Sequence, residues 1–538
     1  MSYLETIKAH LSEPEQLELL YRRAVADGQE EAFRAAVSAV YQEQPEEILV
    51  AAWHYRFVYT VAEKAAGWAV AWGWAILVAV LNGLVLWLIS DTERLGPRLV
   101  DHTGKPDTFP YIPLIILVWA PISAVAVMLY LMLAGERRSW PRLVGVTGAL
   151  AVVSAYALLL FEQSGPLVFQ QQYLTLVTFH LPLMAWAGVG VYLLFRRRDA
   201  ENRFAFLIKS LEVFIMAGLA VSAGGVFVGI TFGLFDALGI ELPKLVMRLL
   251  VAGGGGLIPV LATAIIYNPR AAPVEHAFDQ GLSKLFAILM RLLLPLSLLV
   301  LGIYILFIPF NFREPFLNRD VLIIYNAMLF AVMALLLGAT PVSTSDLSSG
   351  QQKWLRRGII ALAVLALLVS LYALAAIVYR TWIDRPTPNR LAFIGWNVVN
   401  TGILALLLYR QWRTEGTSWL RGVHKTFATG AMLYVLWAAV VILLTPWLFG
   451  LDRAAVATLP ESVQRIVHYS APPILLRCTA SPHIYALEDG HKRWIKDIPT
   501  FEGYGYRWNQ VRVIACSELR AIPDGPPIPP DAGPPPQP

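Results

Sequence analysis

Ile359-Ile-Ala-Leu-Ala-Val-Leu-Ala-Leu-Leu-Val-Ser-Leu-Tyr-Ala-Leu-Ala-Ala-Ile-Val-Tyr379 runs from just past Arg357 to Arg380 without one charged side chain. About 20 such residues, wound as a helix, match the thickness of the bilayer hydrocarbon. In lipid the backbone must satisfy its own hydrogen bonds, and this run is too long and too evenly apolar for a barrel strand. Ten further stretches read the same way: Gly67–Ser90, Tyr111–Leu133, Leu143–Leu160, Tyr173–Phe195, Val213–Phe235, Leu249–Tyr267, Leu285–Pro309, Val321–Leu337, Leu391–Tyr409 and Phe427–Phe449. The fold class this predicts is an all-α polytopic membrane protein with about eleven transmembrane helices. Composition agrees, since 57% of the 538 residues are hydrophobic and 15% charged. Soluble domains sit near 45–50% and about 25%. A set of water-soluble cores, a disordered chain and a disulfide mini-protein are thereby excluded. A net charge of +5 dispersed over the loops gives no nucleic-acid face.

Loop charge orients the spans. One alternating set of loops carries sixteen Arg and Lys residues (Arg137, Arg138 and Arg142, for example, and Arg196, Arg197, Arg198 and Arg203), and the other carries nine. The positive-inside bias puts the richer set in the cytoplasm. With an odd number of crossings the N-terminus is then cytoplasmic and the C-terminus extracytoplasmic, in a multi-pass plasma-membrane protein. The only two cysteines, Cys478 and Cys516, both follow the last span. An oxidising exterior would pair them, and the closed loop would contribute roughly 3–4 kcal/mol in the chain-entropy model.

Five segments follow: 1–65 a cytoplasmic amphipathic helical domain, 66–450 the transmembrane bundle, 451–473 a linker helix, 474–522 a small β-rich extracytoplasmic module with a disulfide, and 523–538 a Pro-rich disordered tail. The opening segment is acidic and lacks the basic start and short apolar core of a secretory leader. Ser12 and Glu15 have capping-box spacing, Gly28 is placed as a helix stop, and Phe33, Ala36, Val37 and Val40 share one face of the next helix. A third helix starts near Pro45 and runs through Trp53 and Tyr55. These helices either dock a cytoplasmic protein partner or cap the protein's own inner loops, the second being favoured. In the C-terminal module, two apolar runs flank Asp489-Gly490, the signature of a tight hairpin turn. Tyr485, Trp494, Phe501, Tyr504, Tyr506 and Trp508 are expected to form the module's core rather than a sugar-stacking platform.

The run Ile484-Tyr-x-Leu-x-x-Gly-x-Lys-Arg-Trp-Ile495, with Thr500-Phe501, Gly503-Tyr504, Trp508, Val511 and Ile522-Pro-x-Gly525, resembles a small repeat module of bacterial secreted and cell-surface proteins. The resemblance covers about 45 residues. It implies an extracytoplasmic place for the module, with a cell-wall or surface ligand as its possible partner. In the membrane part, Gly233-Leu-Phe235, Leu257-Ile-Pro259, Leu282-Ser-Lys284, Leu294-Pro-Leu296 and Ile303-Tyr304 resemble a family of bacterial polytopic membrane proteins defined without an activity. That likeness implies fold alone.

Within the spans, Gly225, Gly229 and Gly233 recur four apart, a face that lets another helix approach closely. Gly253, Gly254, Gly255 and Gly256 stand in a row before Pro259, and four glycines cost roughly 3–4 kcal/mol of helix propensity in water. Tight packing is the expectation for them; a break lining a substrate cavity is the alternative. Glu212 and Arg291 lie at similar depth and form a candidate intramembrane ion pair, with Glu212 turned to Lys209 as the favoured alternative. His180, Asn82, Asn326, Asn397 and Asn400 are expected to be interhelical hydrogen-bond glue. No Asp or Glu is placed at mid-depth of a span.

Chemistry-bearing motifs are sparse. Glu275-His276-x-x-Asp279 makes a poor metal cage. Asp91, Glu93, Asp101 and Asp107 share the first outer loop with Arg94, Arg98 and Lys105, which suits a solvated connector. No catalytic residue, cofactor or metal is assigned, and composition adds the lipid bilayer to the partners named above. The reading is a non-enzymatic membrane scaffold or sensor presenting a surface module. The alternatives are a permease or channel, and an enzyme laid out like a lipid-linked glycosyltransferase. A permease requires a cavity beside Gly253–Gly256; a scaffold requires that segment to be sealed by packing.

Overall fold

The computed structural model describes residues 3–26, 29–65, 70–135, 139–195, 197–278, 281–343, 347–384, 386–414 and 418–534, in two units, Met1–Val70 and Ala71–Pro538. The first unit holds four helices, α1 (Tyr3–Ala9), α2 (Pro14–Ala26), α3 (Glu30–Glu43) and α4 (Ile48–Ala65). Phe33, Ala36, Val37 and Val40 are buried together with Ile7, Leu17, Val50, Trp53 and Phe57, giving the unit a hydrophobic core of its own. The capping-box expectation is corrected. Helix α2 starts at Pro14, whose ring is tolerated in a first turn where the N–H has no helical partner, so Ser12 lies ahead of the helix. Gly28 lies outside the described residues.

The second unit opens with the apolar helices α5 (Trp72–Leu88), α6 (Leu114–Ala134), α7 (Trp140–Leu159), α8 (Leu167–Leu194) and α9 (Ala200–Ala237). Next, α10 (Lys244–Arg248) continues through a π-helical turn at Leu249–Gly253 into α11 (Gly254–Ile266). Then come α12 (Gly281–Phe307), the short α13 (Glu314–Leu317), α14 (Arg319–Ala339), α15 (Ser349–Asp384), α16 (Pro388–Arg413) and α17 (Trp419–Leu448). Among the described residues, each of the eleven apolar stretches has a counterpart in these helices. Ten of the helices are long and apolar enough to cross a membrane among the described residues, and α5, with 17 residues, is shorter.

Packing follows small-residue and heptad seams. Along α15, Leu355, Ile359, Leu362, Ala366, Val369, Ala373 and Ala376 are buried at alternating spacings of four and three. That is the 3.5-residue repeat of side-by-side helices. This seam joins residues of α9, α12, α14, α16 and α17 in the largest core. A second core unites α6, α7, α8 and α17 through Leu117, Ala157, Tyr173, Leu174, Val177 and Ile442.

After α17, α18 (Arg453–Ala457) and α19 (Glu461–Tyr469) lead into a four-stranded sheet of β1 (Ile474–Cys478), β2 (Ile484–Glu488), β3 (His491–Ile495) and β4 (Val511–Ile514), in the order β3-β2-β1-β4. The expected hairpin is present. Tyr485 faces Trp494 across β2 and β3, and Asp489 (φ 50°) and Gly490 (φ 76°) make its turn. β1 is an addition to the sequence reading, and it pairs parallel with β4. Alternation buries both sheet faces. Leu476, Cys478, Tyr485 and Ile514 pack under α19 and α21 (Cys516–Ala521). Leu475, Ile484, Ala486 and Ile495 pack with Phe501 of α20 (Ile498–Gly503), Tyr506 and Ile528. Cys478 and Cys516 form a disulfide, their Cα atoms 4.8 Å apart. The aromatics divide. Tyr485, Phe501 and Tyr506 are buried, whereas Tyr504 and Trp508 are about half exposed.

The disordered-tail expectation is corrected for the residues beside β3. Lys492 N donates to Pro523 O, Gly525 N to Lys492 O, Ile528 N to Trp494 O and Lys496 N to Ile528 O, at 2.7–3.0 Å. An open strand edge offers unpaired backbone groups, and one apolar side chain among prolines, Ile528, is fully buried there.

Candidate functional site

Two helices meet at their glycines. A Cβ on Gly83 of α5 would lie 2.5 Å from the Gly253 carbonyl oxygen, and one on Gly256 of α11 would lie 2.7 Å from Gly83 Cα. Only residues without side chains permit this approach. Asn82, beside the crossing, donates to Gly256 O at 2.7 Å and to Ser123 Oγ of α6 at 3.1 Å. The bond to Gly256 O falls just after the π turn and one residue past Gly255, whose carbonyl loses its helical donor because Pro259 has no N–H. Gly254 and Gly255 face away from α5, and a Cβ on either would meet nothing within 4 Å.

On that open side lies a cavity of about 910 Å³. Its walls come from α5, α6, α8, α9 and α11, with Gly255, Gly256 and Pro259 along one side. It follows α6 from Ile115 to Leu131, a rise of roughly 24 Å at 1.5 Å per residue. Trp119, Phe214, Val221 and Val251 line it and are also exposed on the outside of the bundle, so the cavity is a groove open along its flank. Its interior is mainly apolar, with Ala120, Ala124 and Ala185 buried in the wall and Ser123 the polar residue at mid-length. Other polar groups gather at the ends. At one end are Ser90, Thr92 and Arg248; at the other are Lys209, Thr263 and Tyr267.

Each terminal cation is anchored. Arg248 donates to Ser90 Oγ (2.9 Å) and Trp87 O (3.1 Å) and lies 3.6 Å from Asp91. Lys209 Nζ donates to Glu212 Oε2 and Ser283 Oγ, both at 2.9 Å, and to Ala277 O at 3.2 Å, with its charge 4.7 Å from the Phe278 ring centre. Lys209 and Glu212 are both buried, and Glu212 Oε1 accepts no hydrogen bond among the described residues. Glu212 therefore pairs three residues back along its own helix and not with Arg291, whose Nε donates to Ala339 O at 3.3 Å. The helix begins at Ala200, ahead of the apolar run, which carries Lys209 and Glu212 into the packed interior.

The other singled-out residues fall outside the groove. Gly225, Gly229 and Gly233 stand on the exposed length of α9, where an added Cβ would meet nothing within 4 Å, and the close helix approach expected of them is not made among the described residues. His180 and the asparagines bridge helices: Trp396 Nε1 donates to His180 Nε2 (3.0 Å), Asn397 to Asn326 Oδ1 (2.6 Å), and Tyr434 to Asn400 Oδ1.

In the loop between α5 and α6, Asp91, Glu93 and Asp101 are engaged in local contacts. Asp101 Oδ1 accepts from Thr103 Oγ1, Thr103 N and Lys105 N, and these bonds, the Thr103 hydroxyl foremost, hold its carboxyl below the usual range. Glu93 lies 2.7 Å from Lys244. In the Glu275-His276 loop, His276 Nδ1 donates to Ala272 O and Nε2 accepts from Asn268 N, and burial lowers its pKa, which favours the neutral ring. Asp279 lies outside the described residues. No set of three or more His, Cys, Asp or Glu placed to hold a metal occurs among the described residues.

The glycine run is a local sequence signal, whereas the π turn ahead of it is an addition to the sequence reading. The groove is not a local signal, because its walls come from helices distant in the chain. Compared with protein-family profiles, curated proteins and solved structures, the chain matches none.

Proposed function

We propose that this chain is a multi-pass protein of a bacterial plasma membrane that takes a lipid-like amphiphile into its lateral groove, as a permease for such a molecule would. The observation that carries the reading is the groove itself. An apolar trough of about 910 Å³ follows most of one membrane-crossing helix, with its cationic groups at the two ends and Ser123 a polar group at mid-length. Acyl chains are taken up by apolar walls, and anionic headgroups by cations at the membrane surface. The glycine segment supports the same reading, since one of its sides is packed and the other lines the trough.

Orientation is part of the proposal. The loop-charge bias favours a cytoplasmic N-terminus and an extracytoplasmic C-terminal module, which requires α5 to count as a crossing. Its residues Ala75, Val78, Ala79, Asn82, Gly83 and Leu86 are buried, which suits a helix embedded in the bundle. The disulfide and the likeness to bacterial surface modules agree. The scaffold reading retains one support, the separate core of the N-terminal helices, which suits docking of a cytoplasmic protein.

The test uses the full chain in nanodiscs of phosphatidylglycerol carrying a photoactivatable acyl chain, with adducts mapped by mass spectrometry. Adducts on the buried wall residues Ala120, Ala124 and Ala185 are expected, and an Ala217→Trp variant that fills the trough should lose them. Adducts restricted to outward residues such as Val226 and Leu234 would overturn the reading.

A further inference from the structure

One end of the groove is closed by a dry ion pair whose donors are all in use. An ammonium has three N–H groups. Those of Lys209 go to Glu212 Oε2, Ser283 Oγ and Ala277 O, which leaves none for a molecule in the trough. Lys209 and Glu212 are 5% and 1% exposed, and their charges sum to zero. At the opposite end Arg248 and Asp91 are partly exposed, and water screens them.

An anionic headgroup that reaches Lys209 must displace one of its acceptors. Ser283 and Ala277 offer neutral oxygens, so the exchange that conserves charge is headgroup for Glu212. Its Oε1 already accepts no hydrogen bond among the described residues. Released from Lys209, Glu212 would be a buried carboxylate without a partner, and a group so placed neutralises rather than stay charged. Among the described residues, no neighbour supplies a replacement charge. In the loop between α11 and α12, both ring nitrogens of His276 are bonded and burial favours its neutral form; Glu275 lies 3.6 Å from Arg197. From α12, Lys284 is exposed and Arg291 donates to Ala339 O. From α17, His424 bonds Pro341 O, Arg421 lies 3.7 Å from Glu201 and Lys425 is exposed. Helices α8 and α11 carry no charged side chain, and α14 carries charge only in its first turn. Tyr267, a phenol, lines the same end.

We infer that the groove takes up its anionic amphiphile together with one proton, which goes to Glu212 as the headgroup replaces it on Lys209. The inference rests on the groove reading above. The bond from Lys209 Nζ to Glu212 Oε2 breaks, one from Nζ to a headgroup oxygen forms, Lys209 keeps its charge, and water delivers the proton. One singly charged phosphodiester and one proton enter, so the buried end stays neutral. A permease built this way couples its lipid to a proton gradient.

The full chain in detergent is titrated with dihexanoyl phosphatidylglycerol, whose phosphodiester keeps one charge throughout. Calorimetry in buffers of different ionisation enthalpy counts the protons taken up. About one proton per lipid is expected, so affinity should fall up to about tenfold for each unit rise in pH. Glu212→Gln should bind without proton uptake and without this pH dependence. Infrared difference spectra of the unaltered chain, which need no variant, should show carboxylate absorption giving way to protonated carboxyl on binding. Saturable binding without proton uptake, or uptake that persists in Glu212→Gln, overturns the inference and leaves the groove reading standing. No saturable binding, or binding that Ala217→Trp leaves intact, overturns the groove reading and this inference with it.

Discussion

At the scale of single residues, four adjacent glycines do different work. Gly256 faces the backbone of Gly83, so a side chain there has nothing flexible to push aside, whereas Gly255 faces the open groove. Gly256→Val is expected to destabilise the protein by about 1–3 kcal/mol through overpacking. Gly255→Ala should be neutral, or stabilising by up to about 1 kcal/mol through helix propensity. Thermal unfolding in detergent compares the two, and equal shifts would remove the distinction between packed and open glycines. Sequence alone announces that the run needs a reason to be helical, and it names both reasons. It cannot divide them among the four, because which glycine faces α5 depends on the local phase, and the π turn shifts that phase. The Glu212 partner illustrates the same limit. Depth in the bilayer places Glu212 and Arg291 on one level, but pairing also needs the two helix faces to meet. Lys209, three residues away on the same helix, satisfies that condition locally.

At the scale of elements, long helices and the tight hairpin are written plainly, since each rests on a local pattern of apolar length or turn chemistry. Strand β1 and the docked tail depend on partners elsewhere. β1 is a five-residue strand whose neighbours, β2 and β4, both follow it in the chain, β4 more than thirty residues later. The tail reads as Pro-rich and extended, which it is; its attachment comes from the exposed edge of β3 and from Ile528 filling the face beside Phe501 and Tyr506. Ile528→Ala is therefore expected to cost about 2–5 kcal/mol, the range for truncating a buried isoleucine, and to speed amide exchange along β3. Hydrogen exchange on the full chain provides the measurement. Unchanged protection of Lys492 and Lys496, whose amides donate to the tail, would mean that the edge needs no cover.

At the scale of the whole molecule, its sidedness turns on the shortest apolar helix. Seventeen residues rise roughly 26 Å, a few ångströms less than the hydrocarbon core of about 30 Å, a mismatch that thinning or flanking residues accommodate at modest cost. If α5 crosses, the chain makes an odd number of passes and its two ends face opposite compartments. If it does not, the ends share one side and the loop-charge bias holds for only part of the chain. The cysteines provide a built-in reporter, because Cys478 and Cys516 are the only two in the sequence and both lie in the C-terminal module. Intact cells treated with a membrane-impermeant reductant, then with an impermeant polymer-linked maleimide, are expected to yield protein carrying two added polymer chains. Modification that appears only after the cells are broken would put the module inside and make the pass count even.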